Sequence, residues 1–154
     1  MIWGSVRPVD MAYVRAKLPA ESLLNLFERM PRSEKNHGVI TSLKLERQGM
    51  DSPDLLTAAL LHDVGKIKIF PGMWDRVLVV LVEHAAPNLA ARMSQGSPQG
   101  LRRGFVLRRC HADWGADLAS QAGVSPRTAF LIRSHHTPPG DDRELALLQA
   151  VDNH

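Results

Sequence analysis

The sequence predicts an all-α fold, a single-domain helical bundle over residues 1–154 with its core at about 20–152. Three observations carry that expectation. Apolar residues make up 44% and charged residues 23%, enough to bury one core at this length and too balanced for global disorder. A Ser-Pro helix start occurs twice, at Ser52-Pro53 and Ser125-Pro126, where serine caps and proline fits the first helical position. The one Val-rich run that would suit a strand, Val77 to Val82, has no partner strand.

The elements follow in order. Pro19 opens a first helix over AESLLNLFERM, which stops before Pro31. Ser33 is the expected N-cap of a second helix that runs to about Gln48 and stops at Gly49. The third starts at Ser52-Pro53, carries Leu55, Leu56, Leu60 and Leu61, and ends near Asp63. WDRVLVVLVEHA reads as a fourth. Ser94 to Gly100 is a loop and not a domain boundary, because the residues of interest fall on both sides of it. A helix from about Leu101 to Ala122 is expected to break or kink near His111. The next follows Ser125-Pro126, with Ala129, Phe130, Leu131 and Ile132 on its apolar face and His135-His136 at its end. TPPGDD is a loop, and RELALLQAVD is the last helix.

A net charge of +3 suits an anionic ligand but is too weak to argue for nucleic acid. A single cysteine, Cys110, excludes an intramolecular disulfide and suits a reducing compartment; it reads as a buried structural thiol. The N-terminal stretch lacks a basic region followed by an apolar one, and no apolar run approaches bilayer length. A cytoplasmic protein with no membrane partner is expected, and a homodimer is left open. Trp3, Trp74 and Trp114 are isolated and read as core or interface anchors.

LLTAALLHDVGK, Leu55 to Lys66, ends an apolar helix on an imidazole, a carboxylate and an ammonium. A buried aspartate is costly unless it is paired or ligates a metal. Elsewhere, other helices bring nitrogen or oxygen donors beside apolar stripes: His37, His111, His135 with His136, and Asp152. A metal centre in a bundle core is built this way. Imidazole with carboxylate suits iron, zinc, manganese, cobalt or nickel and disfavours calcium. His84 reads as a partly buried structural histidine and His154 as a chain end. Arg102, Arg103, Arg108 and Arg109 cluster before His111, and Arg133 lies one turn before His136. Arg108, Arg109 and Arg133 are the candidate substrate contacts, with a solvated helix face as the alternative.

Together, His37, His62-Asp63 and Asp152, with AALLHDVGK, resemble the H…HD…D signature of the HD-domain metal-dependent phosphohydrolases, over roughly Leu23 to Asp152. HADWGADLA at His111 and IRSHH at His135 and His136 resemble the extra ligands of the two-metal subgroup, which includes the HD-GYP cyclic-dinucleotide phosphodiesterases. The chain reads HHTPPGDD and lacks Gly-Tyr-Pro, a departure that counts against cyclic di-GMP as substrate. Ser33 stands four residues before His37, where members with a third metal carry glutamate, so two metals are expected.

The resemblance implies one metal on His37, His62, Asp63 and Asp152. It implies a second on His111 and on His135, His136 or both, with Asp63 bridging. The implied cofactors are two divalent transition-metal ions, iron or manganese favoured over nickel, cobalt or zinc. Gly65 would let the chain turn tightly after the ligands. Lys66 would neutralise a phosphate oxygen, and Lys66 or the non-ligating member of His135 and His136 would supply a proton or charge to the leaving group. The implied activity is hydrolysis of a phosphomonoester or phosphodiester in a nucleotide or other small phosphorylated substrate, with Asp63 and Lys66 as catalytic residues. Two readings compete. Di-iron oxygenases of the same superfamily, such as the inositol oxygenases, use a similar set. A non-catalytic regulatory or binding module would keep the metals for stability.

Overall fold

The computed structural model describes residues 8–69 and 72–153, and the elements there are helical. In chain order they are α1 (Met11–Lys17), α2 (Glu21–Glu28), α3 (Arg32–Arg47), α4 (Pro53–Leu61), a 3₁₀ turn (Val64–Lys68), α5 (Met73–Ala85), α6 (Pro87–Met93), a second 3₁₀ turn (Gly100–Arg102), α7 (Arg103–Gln121), α8 (Pro126–Ser134) and α9 (Arg143–Asp152). No strand occurs among the described residues, and no helix there is long and apolar enough to cross a membrane.

Both Ser-Pro starts form as expected. Ser52 accepts from the Leu55 amide and Ser125 from the Thr128 amide. The two helix starts also meet: Asp54, in the first turn of α4, accepts from the hydroxyls of Ser125 (2.5 Å) and Thr128 (2.9 Å), tying the start of α4 to the start of α8. The start of α9 is capped by Asp142, whose carboxylate also takes two hydrogen bonds from Arg127 on α8, at 2.6 and 2.8 Å.

Several local expectations change. α1 and α6 fall outside the expected elements; α1 is capped by Asp10, which accepts from the Tyr13 amide at 3.0 Å. Ser33 is not an N-cap. α3 begins at Arg32 behind Pro31, and the Ser33 hydroxyl turns to Glu34 instead. α7 is one unbroken helix through His111, because that imidazole donates back to carbonyls of the preceding turn and leaves the ladder intact.

One core joins α1 to α4 with α7, α8 and α9. It is filled by residues such as Leu18, Phe27, Leu45, Leu60, Leu131 and Leu148. A second, small cluster of Val79, Ala90 and Phe105 packs α5 and α6 onto α7. Phe130 is 45% exposed and so leaves the apolar face assigned to it; Leu131 and Ile132 are the buried pair there. Trp74 is 78% exposed and no core anchor, and Trp114 is half-buried under the Lys68 ammonium. His84 is exposed rather than partly buried, and Cys110 is only half-buried. Trp3 and His154 lie outside the described residues.

Two glycines set the helix approaches that matter for the site. Gly38 follows His37 on α3, and a Cβ there would sit 2.7 Å from the Leu60 carbonyl of α4, two residues before His62. At Gly65 a Cβ would sit 1.8 Å from the His111 carbonyl of α7. The chain turns tightly at Gly65, in the 3₁₀ turn after Asp63, but its φ is not positive, so what requires glycine there is the close backbone packing.

Candidate metal centre

The seven expected donors come from five places in the chain and meet at one end of the bundle. His62 and Asp63 step off the end of α4; His37 is carried on α3, His111 on α7 and Asp152 on the last turn of α9. His135 follows α8 directly, with His136 next to it. The imidazoles form a chain, with ring centroids 5.2 Å apart for His37–His62 and His62–His135, 5.3 Å for His135–His111 and 5.0 Å for His111–His136.

Three of these rings are oriented by their own helices. His62 Nδ1 donates to the Ala59 carbonyl at 2.8 Å, His135 Nδ1 to Ile132 at 2.6 Å, and His111 Nδ1 to Leu107 and Arg108 at 3.1 Å each. A carbonyl can only accept, so Nδ1 carries a proton in each ring and Nε2 points inward. Backbone orientation of this kind is how metal-ligating histidines are held. His62 Nε2 and His135 Nε2 are buried and lack a hydrogen-bond partner among the described residues. A buried polar nitrogen left unmatched costs about 1–3 kcal/mol unless something occupies it.

The donors fall into two groups whose atoms lie within 4.8 Å of one another: His37, His62 and Asp152, and His111, His135 and His136. Asp63 stands between them. Its Oδ2 is 3.5 Å from His62 Nε2; its Oδ1 is 3.5 Å from His111 Nε2 and 4.0 Å from His135 Nε2. One carboxylate therefore offers an oxygen to each group. In the first group Asp152 Oδ1 accepts from His37 Nε2 at 2.6 Å and lies 3.1 Å from His62 Nε2. In the second, His136 Nε2 donates to His111 Nε2 at 3.1 Å. Both members of the double histidine reach the cluster, His135 buried and His136 at the surface.

The electrostatics keep the donors ready to ligate. Burial works against charge on Asp63, yet His62 and Lys66 outweigh it and hold the carboxyl well below the usual range. Burial opposes the Asp152 charge too, and His37 and His62 overcome it in the same direction. His135 is pushed down to about 3 by burial, with His62 and His136 adding to it, so it stays neutral. Burial lowers His111 as well, helped by Lys66 and opposed by Asp63. His62 differs: burial lowers its pKa, but Asp63 and Asp152 outweigh that and raise it. Neutral His111 and His135 and ionised carboxylates fit divalent transition ions, and a metal on His62 would displace its proton.

The cluster opens into a cavity of about 900 Å³. Lys66 lines it, and its ammonium is clamped 2.7 Å from Asp63 and 2.9 Å from Glu34. Burial would lower its pKa, but those two carboxylates raise it, so Lys66 is a fixed cation. The geometry places this cation at the cavity beside Asp63. Of the three candidate arginines, only Arg108 lines the cavity. Arg108 also lines a second groove among α5, α6 and α7, which is where Arg109 lies, and Arg133 is tied at the surface to Asp113 and Asp117. Among the lining residues that the sequence did not point to are Glu34 and Arg76. Glu34 lies three residues before His37 on the same face of α3, a spacing that could have flagged it; Arg76, on α5, carries no such signal.

A family model described as HD domain matches residues 36–154, which takes in all seven donors. No curated protein and no solved structure matches the chain.

Proposed function

The chain belongs to the HD-domain family, and from that premise we propose that it is a phosphohydrolase acting on a small phosphoester at a dinuclear centre. One metal would be held by His37, His62, Asp63 and Asp152, the other by Asp63, His111, His135 and His136. The single observation that carries the reading is Asp63, which presents one oxygen to each donor group from a buried position. Two divalent ions supply charge neutralisation at phosphoryl oxygens and a water of lowered pKa.

The protein's own residues do the rest. Asp63 sets the spacing of the two groups. The backbone carbonyls of Ala59, Leu107 and Ile132 fix three imidazoles in the ligating tautomer. Glu34 holds Lys66 beside Asp63, where its ammonium faces the cavity and offsets charge on a phosphoryl oxygen. The apolar wall of Val79 and Leu107 limits water on the far side.

The test is phosphate release from a panel of phosphomonoesters and phosphodiesters, with manganese or iron added, for wild type and Asp63→Ala. The proposal expects release by wild type and none above background by the variant. No release from any ester, with oxygen uptake on an organic substrate by the iron form, would overturn it in favour of di-iron oxidation.

A further inference from the structure

The cavity is much larger than a phosphoryl group needs, and its charges are unevenly matched. Every carboxylate that lines it has a cationic or imidazole partner: Asp63 with Lys66, Glu34 with Lys66, Asp152 with His37, and Asp75 with Arg103 at 2.5 Å. Two guanidinium groups on the α5–α7 side are less firmly matched. Arg76 has no carboxylate partner among the described residues. Arg108 makes one pair, 3.1 Å to Glu83, with both side chains substantially exposed, and a pair of that kind is weak. Arg108 shares a face of α7 with Leu107 and His111 and lies one helical turn from His111. Arg76 shares the α5 wall with Val79 and Val80, and Val80 is 57% exposed although it faces the cavity.

From this arrangement we infer that Arg76 and Arg108 form a second anion subsite, separate from the metal donors, for a charged group on the part of the substrate that is not cleaved. This rests on the phosphoester reading above. Guanidinium groups take phosphate or carboxylate through paired N–H donors, so either oxyanion suits the subsite. The substrate class is then a small ester with two anionic groups: a phosphoryl group at the metal donors, and a phosphate or carboxylate one helical turn along α7. The apolar α5 wall between them would cover the linking carbon skeleton.

Calorimetric titration of the manganese-loaded protein tests this, with propyl phosphate and propane-1,3-diyl bisphosphate as probes. Propyl phosphate reports the metal end alone. Wild type is expected to bind the bisphosphate at least about tenfold more tightly, the scale of one charge-assisted contact. Arg76→Ala with Arg108→Ala should abolish that preference and leave propyl phosphate binding in place. Arg76→Lys with Arg108→Lys should restore part of it, and Arg109→Ala should not change it. Repeating the pair of titrations with 3-phosphopropanoate separates carboxylate from phosphate as the second group. A preference that persists in the double alanine variant, or is missing from wild type while propyl phosphate binds, overturns the subsite and leaves the phosphoester reading standing. Binding of neither probe by metal-loaded wild type overturns both.

Discussion

Replacing Gly65 by alanine tests how the centre is held together. The 3₁₀ turn after Asp63 lies directly on α7, and the new Cβ would start 1.8 Å from the His111 carbonyl and 2.7 Å from the Gly115 amide. Both atoms are backbone, so no side chain can swing aside. Reaching even a 3.0 Å contact needs about 1.2 Å of separation between the turn and α7. Overpacking of this kind costs about 1–3 kcal/mol, and a backbone clash this deep belongs at the upper end. For a domain of this size that is a fall in Tm of about 6–12 °C. The shift also moves His111 away from Asp63, and functional constellations tolerate only about 0.5 Å. Thermal melts followed by circular dichroism, with elemental analysis of the same samples, read both effects. A melting point within about 2 °C of wild type and unchanged metal content would refute the argument, because the close approach would then be irrelevant to stability and to the site.

Gly38→Ala meets the Leu60 carbonyl at 2.7 Å, a shallower clash, and should cost about 1–2 kcal/mol by urea titration while loosening His37 from His62. Lys66→Ala removes the cation clamped between Asp63 and Glu34. Phosphate release at saturating metal should fall about 10²-fold, the usual scale for one lost charge-stabilising donor; unchanged turnover removes Lys66 from the mechanism. Asp142→Asn keeps a cap for α9 but loses the charge that meets Arg127, which together with the cap hydrogen bond holds the Asp142 carboxyl down to about 2. The folded pKa is depressed, so this stabilisation is present above the ordinary value of 3.8 and is lost as pH falls through about 2. The stability gap between wild type and the variant should therefore close from pH 4 to pH 2, as read by urea titration at each pH; a gap that stays constant contradicts the assignment.

The helix starts at Ser52 and Ser125 were readable because capping is local: a hydroxyl reaches an amide three residues on, and proline at the next position costs nothing. The donor set was readable through its resemblance to a known pattern, not through any spacing that geometry alone would require. What stayed hidden depends on contacts between elements. Gly65 looks like a turn residue in sequence, and only the position of α7 shows that it makes room for a backbone. Arg108 and Arg109 are neighbours in sequence and both line the groove against α6, but only Arg108 also reaches the cavity, since a helix rotates by more than a quarter turn between them. That distinction was available from the periodicity, because Arg108 lies three residues before His111. Arg133 passes the same spacing argument relative to His136 and still points away, held by two aspartates on α7.

The central claim is that Asp63 joins two donor groups that each hold a metal. Elemental analysis of freshly purified protein, beside His111→Ala, tests it most directly. The account predicts about two metal equivalents in wild type falling to about one in the variant, which keeps His37, His62, Asp63 and Asp152. One equivalent in both proteins would contradict it and leave His111 as a structural residue of a mononuclear site.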